Sequence, residues 1–373
     1  MRRGILALAA TILAAFGATA AAAAPPPVHA PAYVVRGGPD AVVLAARAPD
    51  ARRAPASITK LMTVLVALEH AGLDDVVTVT PQAAGIGEST IGLRPGERLS
   101  VHDLAIAALV PSANDAATAL AVHVGRGSVA RFVAMMNVKA RSLGLASTHF
   151  ENPHGLDQSG HVSSARDVTM LLSAALRNPF IRTWSTRSTA MIAGGRTLTS
   201  TDGLIGRLPL YGAKTGHTDA AGWSQVAAVE RDGVRITASL LGARNEAQRD
   251  TELELLLTWG LAQYHPVRAV GTRVYGLAET GYGRPPVRLV ATRAVVRNVR
   301  VGRPLVERVV LSSALGLPVI RGQRAGEVRV FSDGRLIARS PLVAAEAAPA
   351  VGTFGKVKWY ARRTMHHLFG LVS

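Results

Sequence analysis

A serine and a lysine three residues apart, Ser57 and Lys60, stand at the start of a long apolar stretch of the chain. If the serine begins a helix, this spacing places the lysine one turn later on the same face, where its amine can reach the serine hydroxyl. A hydroxyl attacks a carbonyl carbon poorly until a base removes its proton. A lysine can be that base when burial or a neighbouring cation lowers its pKa. The spacing therefore indicates a nucleophile beside a candidate base.

The same pair also fits an ordinary helix start, in which Ser57 caps the first turn and Lys60 is solvated. The lysine content of the chain favours the chemical interpretation. Of the 42 lysine and arginine residues only five are lysine, and lysine can lose its proton in a protein whereas arginine cannot. Lys60 and Lys214 are therefore candidates for positions at which arginine would not serve.

Two further short motifs follow in the chain, Ser112-Ala113-Asn114 and Lys214-Thr215-Gly216. Ser-x-x-Lys, Ser-x-Asn and Lys-Thr-Gly in this order are typical of penicillin-binding proteins and serine β-lactamases. Over residues 31–265 the sequence resembles the D-alanyl-D-alanine carboxypeptidases, which are low-molecular-weight penicillin-binding proteins. The matching blocks are Pro-Ala-Ser-Ile-Thr-Lys-Leu-Met-Thr (55–63), Pro-Ser-Ala-Asn-Asp-Ala-Ala (111–117), His-Gly-Leu-Asp (154–157), Ser-Ser-Ala-Arg-Asp (163–167) and Lys-Thr-Gly-His-Thr-Asp-Ala-Ala-Gly (214–222).

The resemblance implies catalytic roles for five residues. Ser57 attacks the carbonyl of a peptide bond and becomes acylated, while Lys60 accepts its proton. Ser112 belongs to the proton relay to the leaving amine, and Asn114 bonds the substrate amide. Lys214 supplies positive charge that helps to keep Lys60 neutral. The alternative for Ser112 and Asn114 is an ordinary turn followed by a helix cap.

The resemblance also implies a substrate-binding set. Thr215 binds the carboxylate of the substrate, and strand backbone near Gly216 pairs with the substrate peptide. The backbone N–H groups of Ser57 and His217 face the developing oxyanion. Arg249 is the expected partner of the terminal carboxylate, because arginine bonds carboxylates through two parallel hydrogen bonds. The alternative for Arg249 is one solvated arginine among many.

The leading functional hypothesis is a serine D,D-carboxypeptidase that removes the terminal D-alanine from peptidoglycan stem pentapeptides. A D,D-endopeptidase that cuts crosslinks and a non-catalytic, envelope-bound wall-binding protein are the alternatives. Class A β-lactamases add a glutamate that activates water. Between Asp115 and Lys214 the one glutamate is Glu151, whose surroundings do not resemble that motif. Penicillin and other β-lactams are therefore expected to inhibit. One departure from the family is Asp202, in Thr-Asp-Gly-Leu where the family often has Thr-Asn-x-Leu.

The composition of the chain indicates which classes of partner, metal or cofactor the protein is expected to bind. A net charge of +17 favours an anionic partner such as membrane lipid or a wall polymer. The charge is spread along the chain without a long basic run, so nucleic acid is not expected. The absence of cysteine excludes disulfides and thiolate metal sites. No metal-ligand spacing and no glycine-rich phosphate loop is present, so neither a metal nor a cofactor is expected.

The chain is predicted to have five segments. Residues 1–24, with Arg2 and Arg3 before an apolar stretch, fit a secretory signal peptide, the alternative being a retained anchor helix. If residues 1–24 are a secretory signal peptide, the protein is expected to be exported and to lie at the periplasmic face of the inner membrane. Strand patterns around a helical middle in residues 31–265 predict an α+β domain, an antiparallel sheet packed with helices. A small all-β domain (266–343), a linker (344–350) and an amphipathic helix (351–373) complete the chain.

The C-terminal helix is expected to lie on an anionic membrane surface. On a helical projection its apolar residues share one face, and charges that interrupt the sequence exclude a membrane span. The alternative is that this face packs on the small β domain. The residues of the apolar face are Phe354, Val357, Ala361, Met365, Leu368 and Val372.

Overall fold

The computed structural model describes residues 9–16, 23–38 and 41–369. The chain divides into two units. The α+β unit comprises residues 24–262, and the β unit contains the chain from Gln263 onward together with the N-terminal segment. The predicted signal peptide lies outside the described residues except for the strand β1 (Ala9–Phe16) and residues 23–24.

An antiparallel sheet of five strands forms one layer of the α+β unit, in the order β3-β2-β10-β9-β8. The last strand in this order, β8, carries Lys214, Thr215 and Gly216 and lies at the edge of the sheet. Two small two-stranded sheets, β4 with β5 and β6 with β7, accompany this sheet. The strands of this unit are β2 (Ala32–Gly37), β3 (Val42–Arg47), β4 (Val76–Thr78), β5 (Arg98–Ser100), β6 (Thr189–Ile192), β7 (Arg196–Thr199), β8 (Leu210–Thr218), β9 (Gly222–Arg231) and β10 (Val234–Ala243).

Eight α-helices build the rest of this unit, so the predicted α+β class is confirmed. They are α1 (Lys60–His70), α2 (Pro81–Ala84), α3 (Val101–Leu109), α4 (Asn114–Val124), α5 (Val129–Ser142), α6 (Ala165–Ala175), α7 (Pro179–Trp184) and α8 (Glu246–Ala262).

Helix α1 runs through the centre of the unit. It packs against α3, α4, α5 and α6, and its first eight residues are all buried. Burial of each large apolar side chain contributes about 1.5 to 3 kcal/mol, so the core fixes the position of the helix. The sequence predicted that this helix begins at Ser57. In the structure a short 3-10 turn (Ala56–Thr59) comes first and α1 begins at Lys60.

The β unit is built on a six-stranded antiparallel sheet and a two-stranded one formed by β11 and β14. The larger sheet has the order β1-β15-β16-β17-β13-β12. Removal of residues 1–24 by cleavage would leave β15 at its edge. The strands other than β1 are β11 (Tyr264–Val270), β12 (Val274–Ala278), β13 (Val287–Ala291), β14 (Val295–Arg300), β15 (Leu305–Ser312), β16 (Arg324–Ser332) and β17 (Arg335–Ala344).

Residues 344–350, expected to be a linker, are hydrogen-bonded to the β unit. The N–H of Ala345 donates to the carbonyl of Arg288, and Ala348 exchanges two backbone hydrogen bonds with Val319. Strand β11 begins at Tyr264, two residues before the expected boundary, because Tyr264 already pairs with Arg300.

The C-terminal helix α9 (Thr353–Phe369) contacts the β unit through aromatic rings. The ring of Tyr282 lies edge-on to Trp359 at 5.4 Å and to Tyr360 at 6.1 Å. On the predicted apolar face Phe354 is 85% exposed and Val357 is 61% exposed. Val372 and the side chain of Leu368 lie outside the described part of the chain. Within that part, no helix has the length and hydropathy to cross a membrane.

Candidate active site

The nucleophile and base predicted from the sequence meet at the start of α1. Nζ of Lys60 lies 2.7 Å from Oγ of Ser57 and 2.8 Å from the backbone carbonyl oxygen of His154. The lysine side chain is fully buried. Burial and, after it, the charge of Lys214 hold the pKa of Lys60 well below its usual value. An uncharged amine with a free lone pair can accept the hydroxyl proton of Ser57.

The loop that contains His-Gly-Leu-Asp holds the turn of the nucleophile in place. Gly155 has φ +94°, and a Cβ at this position would lie 2.0 Å from the carbonyl oxygen of Ala56. Ala56 itself is buried with φ +48°. Burial and the charge of Lys60 lower the pKa of His154 to about 3, so this imidazole is neutral at pH 7. His154 contributes its carbonyl to the site, and the loop shapes the turn.

A second lysine and serine form a similar pair. Nζ of Lys214 donates to Oγ of Ser112 at 2.9 Å and to the carbonyl oxygen of Thr215 at 3.0 Å. Ser112 has φ +66°, which is rare for a residue other than glycine and points to a functional constraint. Burial lowers the pKa of Lys214 to about 7, with Asp202 opposing the shift and Arg249 adding to it. Lys214 therefore exchanges a proton near neutral pH, as a proton relay requires.

Asn114 is the first residue of α4. Its Nδ2 donates to the carbonyl oxygen of Gly87 at 3.0 Å, and its backbone N–H donates to Ser89 at 2.7 Å. Its buried Oδ1 has no hydrogen-bond partner among the described residues. An unpartnered buried acceptor costs free energy, so this oxygen is available to an N–H donor of a ligand.

Gly216 lets strand β8 approach the nucleophile. A Cβ on Gly216 would lie 3.0 Å from the backbone nitrogen of Ser57 and 3.2 Å from that of Ile58. The next residue, His217, is exposed, and its ring stacks on Trp223 at 4.2 Å. The backbone of β8 and the amide of Ser57 therefore share the space in which an oxyanion would form.

The remaining predicted residues lie around Lys214. The hydroxyl of Thr215 is 2.7 Å from that of Thr201. Arg249 is 1% exposed, and its Nη2 pairs with Glu246 at 3.0 Å and with Asp250 at 2.7 Å. The structure thus places Arg249 close enough for its charge to act on Lys214, but in a buried ion-pair cluster instead of at a solvated surface.

Comparisons with known proteins identify the family. The family model of the D-alanyl-D-alanine carboxypeptidases matches residues 19–245. The chain belongs to the D-alanyl-D-alanine carboxypeptidase family. It is similar to D-alanyl-D-alanine carboxypeptidase DacD of Salmonella typhimurium, with 32% identity over 357 residues and 90% of each chain covered. DacA of Escherichia coli K12 is 31% identical over 363 residues, which cover 92% of this chain and 90% of that protein.

A solved structure gives the same result for the fold. Penicillin-binding protein 5 from Haemophilus influenzae has a TM-score of 0.63 and 28% identity, and the match covers 87% of this chain and 99% of that one. The resemblance inferred from the motifs is confirmed. As a member of the carboxypeptidase family, the chain is a serine-type hydrolase.

Sequence reasoning missed the partners of Asp202, the residue that departs from the family pattern. Its Oδ1 accepts hydrogen bonds from the N–H of Leu204 and from Nε2 of Gln225. Its Oδ2 and the Oε1 of Gln225 are buried without partners within the described residues. Burial raises the pKa of Asp202, and an ionised Asp202 favours the charged form of Lys214. The only signal of these contacts in the sequence was the aspartate itself, at a position where the family often has asparagine.

Replacement of Gly216 by alanine is expected to lower kcat on the order of a hundredfold, because the added Cβ pushes β8 away from the amide of Ser57. Steady-state hydrolysis of a D-alanyl-D-alanine peptide measures the loss. Gly316→Ala is the matched control, since a Cβ there meets no atom within 4 Å. Similar kcat values for the two variants would contradict the close approach.

Asp202→Asn is expected to move the basic limb of the pH profile of kcat/KM to lower pH. The carboxylate raises the pKa of Lys214, which is about 7, so its removal lets Lys214 lose its proton at a lower pH. Asparagine keeps an oxygen for Leu204, which limits structural change. Rates measured across about pH 5.5 to 9.5 define the limb. An unchanged limb would show that Asp202 does not act through Lys214.

Proposed function

We propose that the protein is a periplasmic serine D,D-carboxypeptidase that removes the terminal D-alanine from peptidoglycan stem pentapeptides through an acyl-enzyme on Ser57. The observation that carries this proposal is the 2.7 Å approach of a buried Lys60 amine to the Ser57 hydroxyl. The family to which the chain belongs supplies the substrate class. The name D-alanyl-D-alanine carboxypeptidase is also borne by relatives that match 90% of this chain or more.

The residues support a two-step reaction. As Oγ of Ser57 attacks the carbonyl carbon between the two D-alanines, its proton passes to Nζ of Lys60. The carbonyl oxygen becomes an oxyanion, for which the amides of Ser57 and His217 are the proposed donors. When the C–N bond breaks, the leaving amine takes a proton delivered through Ser112, and free D-alanine departs. Water then attacks the ester on Ser57 and releases the shortened peptide.

The edge position of β8 suits a peptide substrate. Because β8 ends the sheet, its outer backbone groups can pair with an extended peptide as an added strand. The terminal carboxylate of that peptide is proposed to bind the hydroxyl of Thr215 in the positive field of Lys214 and Arg249. Arg249 already pairs with Glu246 and Asp250. To bind the substrate carboxylate directly, its guanidinium group must form a further contact when the substrate binds.

Inhibition by β-lactams follows from the same site. A β-lactam carbonyl would acylate Ser57 as the peptide does, and release would require a base for water. Glu151 is the one glutamate between Asp115 and Lys214 in the sequence, and its carboxylate pairs with His149 at 3.2 Å. With Glu151 held in that pair, the acyl-enzyme is proposed to turn over slowly.

The rival D,D-endopeptidase would use the same residues on a crosslinked peptide. Incubation of purified protein with a pentapeptide stem and with a crosslinked dimer, followed by mass analysis, separates the two. Loss of D-alanine from the stem with an intact dimer supports the carboxypeptidase. Preferential cleavage of the dimer supports the endopeptidase, and no cleavage of either supports a wall-binding protein.

The proposed location is the periplasmic face of the inner membrane, with α9 as a surface anchor. Helix α9 touches the β unit through Trp359 and Tyr360, whereas Phe354, Val357 and Met365 are exposed. An exposed apolar face with lysine and arginine beside it is typical of helices that lie in an anionic membrane surface. The ring contacts of Trp359 and Tyr360 would then set the angle of the helix, while Phe354, Val357 and Met365 stay free to enter the lipid.

Penicillin is expected to label Ser57, and Ser57→Ala is expected to abolish the adduct. Lys60→Arg should slow acylation on the order of a hundredfold or more, because arginine keeps the charge but cannot accept the proton. Mass spectrometry of the labelled peptide and the rate of labelling are the measurements. Lys139→Arg is the matched control, since Lys139 lies at the surface beside Glu69. A labelled Ser57→Ala protein would refute the assignment.

The full-length mature chain is expected to sediment with anionic vesicles, and a chain that ends at Ala350 is expected to stay in solution with its peptidase activity. In the full-length chain, Phe354→Ser with Met365→Ser should weaken vesicle binding on the order of a hundredfold, because about 1.5 to 3 kcal/mol of burial is lost per large side chain. Val138→Ser, at another exposed apolar residue, controls for the loss of surface hydrophobicity. Equal sedimentation of all forms would contradict the anchor.

A further inference from the structure

Three arginines lie directly opposite one another on adjacent strands of the β unit. The register pairs Arg308 of β15 with Arg329 of β16, and Arg329 with Arg339 of β17. Residues opposite each other in antiparallel strands point to the same face, and all three side chains are exposed. Adjacent strands are about 4.8 Å apart, so this arginine row crosses three strands within about 10 Å.

The arginine row continues into a depression beside it. The depression has a volume of about 370 Å³ and is lined by Arg293, Arg324, Glu327, Arg339, Ser340 and Pro341. One carboxylate faces this group, since Glu327 pairs with Arg329 at 3.1 Å and with Arg324 at 3.6 Å. Within the described parts of the chain, Arg293, Arg308 and Arg339 have no carboxylate at ion-pair distance. Of these five guanidinium groups, only those of Arg324 and Arg329 pair with a carboxylate of the described residues, and both pair with Glu327.

Such an arrangement costs stability unless an anion compensates it. Like charges directly opposite on neighbouring strands repel, and the repulsion destabilises the pairing. Arginine keeps its charge at every accessible pH, so the chain cannot relieve the repulsion by losing a proton. A bound anion that contacts several strands at once would turn the unfavourable arrangement into a favourable one.

We propose that the arginine row and the adjoining depression form a phosphate-binding site, filled by an anionic phospholipid headgroup or by free phosphate. A phosphate group presents tetrahedral oxygens and can bond guanidinium groups from different strands together. A carboxylate is planar and matches a single guanidinium fork, which makes it the weaker fit to a row. Ser57, Ser112 and Lys214 do not belong to the β unit. The phosphate site is therefore separate from the peptidase site, and the proposal does not rest on the proposed peptidase function.

The test uses the full-length chain and compares two triple variants of equal charge. Arg308→Gln/Arg329→Gln/Arg339→Gln removes the row. Arg126→Gln/Arg131→Gln/Arg141→Gln removes three exposed arginines of the α+β unit. Thermal unfolding is measured in sodium phosphate and in sodium chloride at equal ionic strength. Phosphate is expected to raise Tm by about 3 °C for the wild type and the control, and not for the row variant.

In chloride the row variant should be at least as stable as the wild type, because the repulsion between strands has been removed. If the triple variant does not fold, Arg339→Gln alone is measured, and about half of the phosphate effect should remain. An equal rise of Tm in the row variant and the control, or an equal effect of chloride and phosphate, would overturn the proposal.

Vesicle binding separates the two sources of phosphate. If phospholipid is the ligand, the row variant should bind vesicles of phosphatidylglycerol severalfold more weakly than the control, with the remaining binding supplied by α9. If free phosphate is the ligand, the Tm effect appears while both variants bind vesicles equally. A third outcome would overturn the phosphate site. In it, phosphate does not change the Tm of any form, and the row variant alone loses binding to phosphate-free wall material. The row would then bind a carboxylate polymer.

Discussion

The site depends on the burial of two lysine amines beside each other. Lys60 and Lys214 are almost completely removed from water, and a charge without water or partners is costly. The cost of a buried charge is avoided because the pKa values of both amines are lowered. Neither amine is paired with an acidic side chain of the described residues. Each amine is left with a serine hydroxyl and a backbone carbonyl as neighbours. Because burial lowers the pKa of Lys60, the proposed base, the proposed mechanism depends on the hydrophobic core around α1.

The second constraint is close backbone packing around the turn of the nucleophile. A Cβ on Gly155 would overlap the carbonyl of Ala56, and a Cβ on Gly216 would press tightly on the amide of Ser57. Ala56 and Ser112 adopt positive φ values, which cost free energy and persist only where the surroundings hold them. The helical core supplies that support. The geometry of the nucleophile is therefore set by three segments far apart in the sequence.

Because the site is assembled from segments that are far apart in the chain, only its local features could be predicted from the sequence. The α+β class of residues 31–265 was predicted and is observed, because strand and helix patterns are local signals. The nearness of Ser57 to Lys60 followed from their spacing. Three contacts could not be predicted: the carbonyl of His154 with Lys60, the amide of Gln225 with Asp202, and the ring of Trp359 with that of Tyr282. They join residues distant in the chain and depend on how finished elements pack.

The distribution of lysine connects the composition to the chemistry. Of the five lysines in this arginine-rich chain, the two that are buried are those next to Ser57 and Ser112, whereas Lys139, Lys356 and Lys358 are at least partly exposed. Buried Arg249 shows the contrast, because it keeps its charge and requires Glu246 and Asp250 beside it. An arginine at either buried lysine position would need a similar acidic neighbour and could not exchange a proton. The proposed proton transfer in a dry core therefore requires lysine at these two positions, because a lysine can lose its charge there.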